Sequence, residues 1–213
     1  MSYFTIINQG TSEFEEKKSR FIGNVMRVES EDEAKKYIEE IKNRYKDARH
    51  NVFAYIVGEN MGIQRYSDDG EPKGTGGIPV LEVLKRNNLT DVVVVVTRYF
   101  GGVLLGASNL TRAYSNGASL ALKATEIVEK VRGFTVRMEF DYDLLGKIQY
   151  TFEKNQWHIE DTAYTDKVAI TVNIEKHSRA DLENTVKDLT MGKVTIEIDE
   201  EQYFFKMGYR LYA

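Results

Sequence analysis

Cations, carboxylates and glycines crowd into two short stretches of this chain. Residues 65–79 read RYSDDGEPKGTGGIP, and residues 97–114 read TRYFGGVLLGASNLTRAY. Each leads into a helical pattern. A helix start carries unpaired amides and a partial positive charge, so each stretch has the parts of an anion site. Gly70, Gly74, Gly76, Gly77, Gly101, Gly102 and Gly106 would let backbone approach a ligand with no Cβ in the way. Arg65, Lys73, Arg98 and Arg112 supply full charges, and arginine suits two-pronged contacts to phosphate. Tyr66, Tyr99 and Phe100 flank the glycines and offer faces on which bases stack. The same residues admit a plainer reading, in which Arg98 pairs with Asp68, Asp69 or Glu71 and pins one loop to the other. Neither stretch matches G-x-x-x-x-G-K-[ST] or G-x-G-x-x-G, so both readings stand.

Other chemistry is thinner. His50 is the one histidine of the first half, and either a general-base role or a hydrogen-bonded structural role fits it. His158 and His177 read as surface or packing residues, and three scattered histidines have no zinc spacing. SDDGE lacks the spaced oxygen ligands of a calcium loop, and its Asp-Gly pair reads as a turn. No metal and no cofactor are expected. Trp157 reads as core or domain-interface packing.

The elements that must hold these loops follow from periodicity. SYFTIINQG and SRFIGNVMRV read as strands. Ser30 and Glu33 form an S-x-x-E capping box ahead of a helix with Ala34, Tyr37, Ile38, Ile41 and Tyr45 on one face. NVFAYIVG is a strand, and PVLEVLKRNN a short helix with Pro79 near its start. Val92 to Val96 make a strand apolar on both faces, hence central. A helix follows, with Leu110, Ala113, Tyr114, Gly117, Ala118 and Ala121 as a small-residue face. EIVEKVRG is a linker or helix end, and the pattern then restarts as βαββαβ, the ferredoxin-like order. In that half Asp143 and Ser178 are the expected caps of the two helices. The domains are therefore 1–132 and 133–213.

Composition narrows the class. Hydrophobic content of 42% and charged content of 29% are ordinary for a globular protein. There is no cysteine, which excludes disulfides and thiolate chemistry and is compatible with a reducing cytosol. No apolar run approaches a membrane span, and the start lacks a signal-peptide pattern, so a cytoplasmic location is expected. Net charge is −4, split as +1 over residues 1–132 and −5 over the rest. Phosphate binding therefore belongs in the first part.

YSDDGEPKGTGG.P.LEVL, VVVVVTRYFGGVLLG and L.RAYS together resemble the YigZ/IMPACT family, over the whole chain. The resemblance implies a mixed α/β fold. The first domain would be two-layered, like the second domain of a small-subunit ribosomal protein. The second would resemble the ferredoxin-like last domain of the ribosomal translocase. Eukaryotic relatives regulate translation under amino-acid stress, by competing for the ribosome-associated activator of a kinase that phosphorylates an initiation factor. What carries over is a non-enzymatic regulator binding ribosome, RNA or a translation factor. Two alternatives stand: an enzyme or sensor for a small phosphorylated ligand at the same loops, and a purely protein-binding scaffold. The chain departs from the family at Ala107-Ser108-Asn109, where relatives carry more glycine, and at Val52, where they often carry cysteine.

Overall fold

Val92 to Val96 lie in a strand whose two faces are both buried, as the unbroken apolar run requires. The structure, a computed structural model, describes residues 2–213. It divides into two compact units, Tyr3–Val128 and Glu129–Ala213.

The first unit contains β1 (Tyr3–Ile6), β2 (Gly10–Glu16), β3 (Ser19–Arg27), α1 (Glu31–Arg44), β4 (His50–Val57), β5 (Ile63–Ser67), α2 (Gly77–Arg86), β6 (Val92–Tyr99) and α3 (Ala107–Lys123). Five strands form one sheet in the order β2-β3-β6-β4-β5, with β6 at its centre. Every neighbouring pair is antiparallel. Val93 and Val95 face a core with Ala34, Tyr37, Ile38 and Ile41 of α1. Val92, Val94 and Val96 face the opposite core, with α2 and α3. The mixed α/β class holds, but the sheet is the middle of three layers where two were expected. A strand apolar on both faces needs cover on both. The rule that places sites at the carboxyl ends of parallel strands has no purchase here either, since the sheet is antiparallel.

Capping follows the expected pattern at α1, with a shift. The Ser30 hydroxyl accepts the Glu33 amide at 3.2 Å. The Glu33 carboxylate reaches back to the Glu29 amide at 2.8 Å, one residue before the cap itself.

The second unit uses β7 (Ile127–Phe140), α4 (Leu145–Lys154), β8 (Ile159–Tyr164), β9 (Val168–Glu175), α5 (Arg179–Leu189) and β10 (Thr195–Ile198), the βαββαβ order. The pairings give the strand order β10-β7-β9-β8. β11 (Gln202–Met207) pairs with the first half of β7, and β12 (Arg210–Tyr212) pairs with β11. Phe134, Val136, Met138 and Phe140 meet Ile148 and Phe152 of α4 and Leu182 and Val186 of α5 in one core.

Three expectations in this half need correction. EIVEKVRG is strand from Ile127 onward, not linker or helix end. Its charges misled, because Lys130 and Arg132 lie over the Tyr203 ring supplied by β11, at 5.2 Å each. Asp143 sits inside a single 3-10 turn, Tyr142–Leu144, that feeds α4 and makes no capping bond. Ser178 precedes α5 but its backbone is already helical and its hydroxyl caps nothing. Among the described residues no helix is long and apolar enough to cross a membrane.

Candidate functional site

The register of the first sheet assembles the site. Arg98, near the end of β6, stands opposite His50 of β4 on one side and Phe21 of β3 on the other. The Arg98 guanidinium lies 5.6 Å from the Phe21 ring centre and 5.5 Å from that of Phe100. One residue earlier, the Thr97 hydroxyl donates to Asn51 at 2.7 Å inside the sheet.

The partner of Arg98 is Glu71, carried by the loop between β5 and α2. Nη1 donates to Oε1 at 2.7 Å, and the two side chains are 7% and 4% exposed. The Tyr114 hydroxyl of α3 donates to the same oxygen at 2.8 Å. Burial first, then the charge of Glu71, pushes the Tyr114 hydroxyl far above its ordinary range, so it stays a donor. His50 Nε2 stands 3.9 Å from that oxygen. Its Nδ1 is 2.8 Å from the Asp69 carbonyl. A carbonyl can only accept, so Nδ1 carries a proton. The pairing of Arg98 is thus with Glu71, and it joins β6, the Glu71 loop and α3.

Asp68 shapes the loop. Its carboxylate accepts the amides of Gly74 at 2.7 Å, Gly76 at 2.9 Å and Gly77 at 2.8 Å. Burial works to raise its pKa, yet those three amides outweigh it and hold the carboxyl below the usual aspartate value. The start of α2 therefore already holds an anion, and it is Asp68. Asp69 and Gly70 turn the chain with φ of 45° and 86°, and the Asp69 carboxylate accepts the Asn51 amide at 2.6 Å. Gly77 is needed for close approach, since a Cβ there would meet the Ser67 backbone at 2.9 Å.

The start of α3 is different. Gly106 is its first flanking residue, at φ 80°, and no side chain caps the helix. Asn109 turns its amide back to the Leu105 carbonyl at 2.9 Å. Ahead of it Gly101 packs so tightly that a Cβ would collide with the Lys18 carbonyl, and its amide donates to Ser19 at 3.2 Å. Gly102, at φ 83°, has open space around it. Between this turn and the clamp lies a cleft of about 340 Å³. His50, Glu71, Arg98, Phe100, Leu104 and the Gly106–Ala107 helix start are among the residues that line it.

Several expected residues lie elsewhere. Arg65 is on β5 beside Glu31, at 4.0 Å, on the α1 side. Tyr66 is exposed on the same edge strand. The Tyr99 hydroxyl donates to Asp47 at 2.8 Å, outside the cleft. Lys73 is exposed on its loop. Arg112 is exposed on α3, two residues past Leu110, which turns it about 200° away from the cleft wall. Tyr114, Ser19 and Arg49 belong to the site and were missed. Arg49 lines the cleft and its position directly before His50 was the available clue. Among the described residues no three His, Asp or Glu side chains form a metal cage.

These features define a two-unit α/β protein with a clamped loop pair at the end of a central strand. Residues 17–122 match the Impact N-terminal domain, and residues 138–193 match a domain of unknown function, DUF1949. The chain belongs to the IMPACT family. It is 40% identical over 205 residues to the IMPACT family member YvyE of Bacillus subtilis (strain 168), covering 96% of this chain and 94% of that one. It is 30% identical to the IMPACT family member YigZ of Escherichia coli (strain K12), covering 87% and 92%. A crystal structure described as a hypothetical protein is 28% identical, with a TM-score of 0.60 over 94% of this chain and 98% of that one.

Proposed function

We propose that the chain is a non-catalytic regulator linked to translation and that it contacts single-stranded RNA at one end of its first sheet. The observation that carries this is a collection of unpaired cations. Lys17 and Lys18 form the turn between β2 and β3, and Lys46 and Arg49 precede β4. The antiparallel register puts these turns beside the end of β6, because Arg20 pairs with Tyr99 and His50 with Arg98. Among the described residues none of these four side chains, nor that of Lys73, makes a hydrogen bond or ion pair.

Phe100 is 40% exposed and Leu104 84% exposed beside them. Free cations with an exposed ring suit a phosphate backbone and a stacked base. At the cleft wall and its loop the carboxylates are held internally: Glu71 by Arg98 and Tyr114, and Asp68 by three amides. That internal neutralisation also speaks against a catalytic carboxylate.

Binding of the full chain to labelled single-stranded RNA across a salt series tests the reading. Replacing both Lys17 and Lys18 by alanine is expected to flatten the salt slope by about 0.7 per charge removed. An unchanged slope and affinity would overturn it. Capture of a protein partner that survives nuclease treatment, without RNA affinity, would support the scaffold alternative instead.

A further inference from the structure

The cleft holds a second, separable capacity. Each of the two loops that line it leads into a helix, and only one of those helices still has its first amides free of a side-chain cap. At α2 the Asp68 carboxylate fills the place of an anion. At α3 no side chain does so, and Gly106 and Ala107 open directly on the cleft. The four amides of a helix start need acceptors, and the helix dipole favours a negative one.

The second observation is Arg98 itself. It lines the same cleft and is 6% exposed. Its guanidinium has five donors. Glu71 takes one of them at 2.7 Å and Ser19 a long one at 3.4 Å, while Nε has no partner. A buried arginine with donors to spare, in the lining of the same cleft as an uncapped helix start, calls for an acceptor with several oxygens. Glu71 does not oppose this, because Arg98 and Tyr114 both donate to it. Arg49 adds an unpaired cation at the wall.

We infer that this cleft is a binding site for a phosphate monoester, held by the α3 amides, Arg98 and Arg49, with its organic group against Phe100 and Leu104. A tetrahedral phosphate satisfies both a fan of amides and a guanidinium, as a carboxylate with two oxygens does not. The wall of Leu104, Leu105 and Leu110 accepts an apolar or flat moiety. The site shares Arg49, Phe100 and Leu104 with the RNA reading but rests on the α3 amides and Arg98, which that reading does not use, so either can fail alone.

The test uses thermal unfolding and calorimetry of the full chain with inorganic phosphate, with uridine 5′-monophosphate, and with uridine as the phosphate-free control. The expected result is a saturable rise in midpoint of about 5 °C for the phosphorylated probes and none for uridine or for chloride at equal ionic strength. Ala107→Asp puts a carboxylate on the first helical residue, where acids are favoured, so the fold is kept. It is expected to abolish the rise, while Ala107→Asn retains it. A 5′-phosphorylated trinucleotide and its dephosphorylated form distinguish an RNA end from a free nucleotide. Tighter trinucleotide binding names the former, and tighter mononucleotide binding the latter. No saturable rise with either phosphate probe at about 20 mM, or a rise unaffected by Ala107→Asp, overturns the assignment. Lys17 and Lys18 are untouched in every variant, so failure here leaves the RNA experiment standing.

Discussion

Arg98 and Glu71 meet at 2.7 Å with side chains almost wholly removed from water, and they come from positions 27 residues apart in the chain. A buried pair of this kind tolerates joint replacement far better than loss of one partner. Arg98→Met alone leaves a buried carboxylate, and Glu71→Leu alone leaves a buried guanidinium. Each is expected to cost about 3–5 kcal/mol in denaturant unfolding. The double variant should recover most of that loss. Additive losses in the double variant would show that the pair is not coupled.

Asp68→Asn removes the charge that three amides share, at an expected cost of about 2 kcal/mol at neutral pH. The folded carboxyl titrates below its ordinary value. Its contribution is therefore complete above the ordinary aspartate range and is lost as pH falls through the depressed folded value. Unfolding midpoints of the native chain and the variant should converge in strong acid. A gap independent of pH would mean that shape, and not charge, holds the loop.

The glycines of RYFGG do different jobs. Gly101→Ala drives a Cβ into the Lys18 carbonyl, so the end of β6 must shift, at about 3 kcal/mol. Gly102→Ala meets no atom and costs only the left-handed backbone, about 1 kcal/mol. Equal losses measured by chemical unfolding would contradict this division.

Leu104→Ala should leave stability within about 0.5 kcal/mol, since the side chain is already in water. If the RNA reading holds, Phe100→Ala should weaken binding of a single-stranded probe about tenfold through lost stacking. Titration of both variants against the same probe separates the contact surface from the scaffold.

Much of the frame was legible in the sequence. The run Val92 to Val96 announced a central strand, and Ser30 with Glu33 announced the start of α1, because both signals are local. What escaped depended on residues far apart. β2 was not foreseen, since GTSEFEE is an edge strand whose one aromatic, Phe14, stacks on Phe21 at 5.1 Å across the hairpin. Glu71 was one of three acidic candidates for Arg98, and only the fold of the loop selects it. Asp68 was another of those candidates, but it occupies the amides that a ligand would have used. Lys17 and Lys18 sit in one turn and Lys46 and Arg49 in another, so no single run of charge reveals the four together. Antiparallel pairing alone brings them together.

The five valines have one more consequence. A strand with the same side chain up and down cannot tell its two faces apart, so sliding it by one residue would leave both cores equally greasy. The information that fixes its position sits at its ends. Asp91, at φ 57°, receives the Tyr3 hydroxyl at 2.6 Å and the Gly58 amide at 2.8 Å. Thr97 and Arg98 find Asn51 and Glu71 at the other end. A slipped strand would bury an aspartate and an arginine without partners. The polar bookends thus act as a key, and the valine bar between them only has to fit the lock.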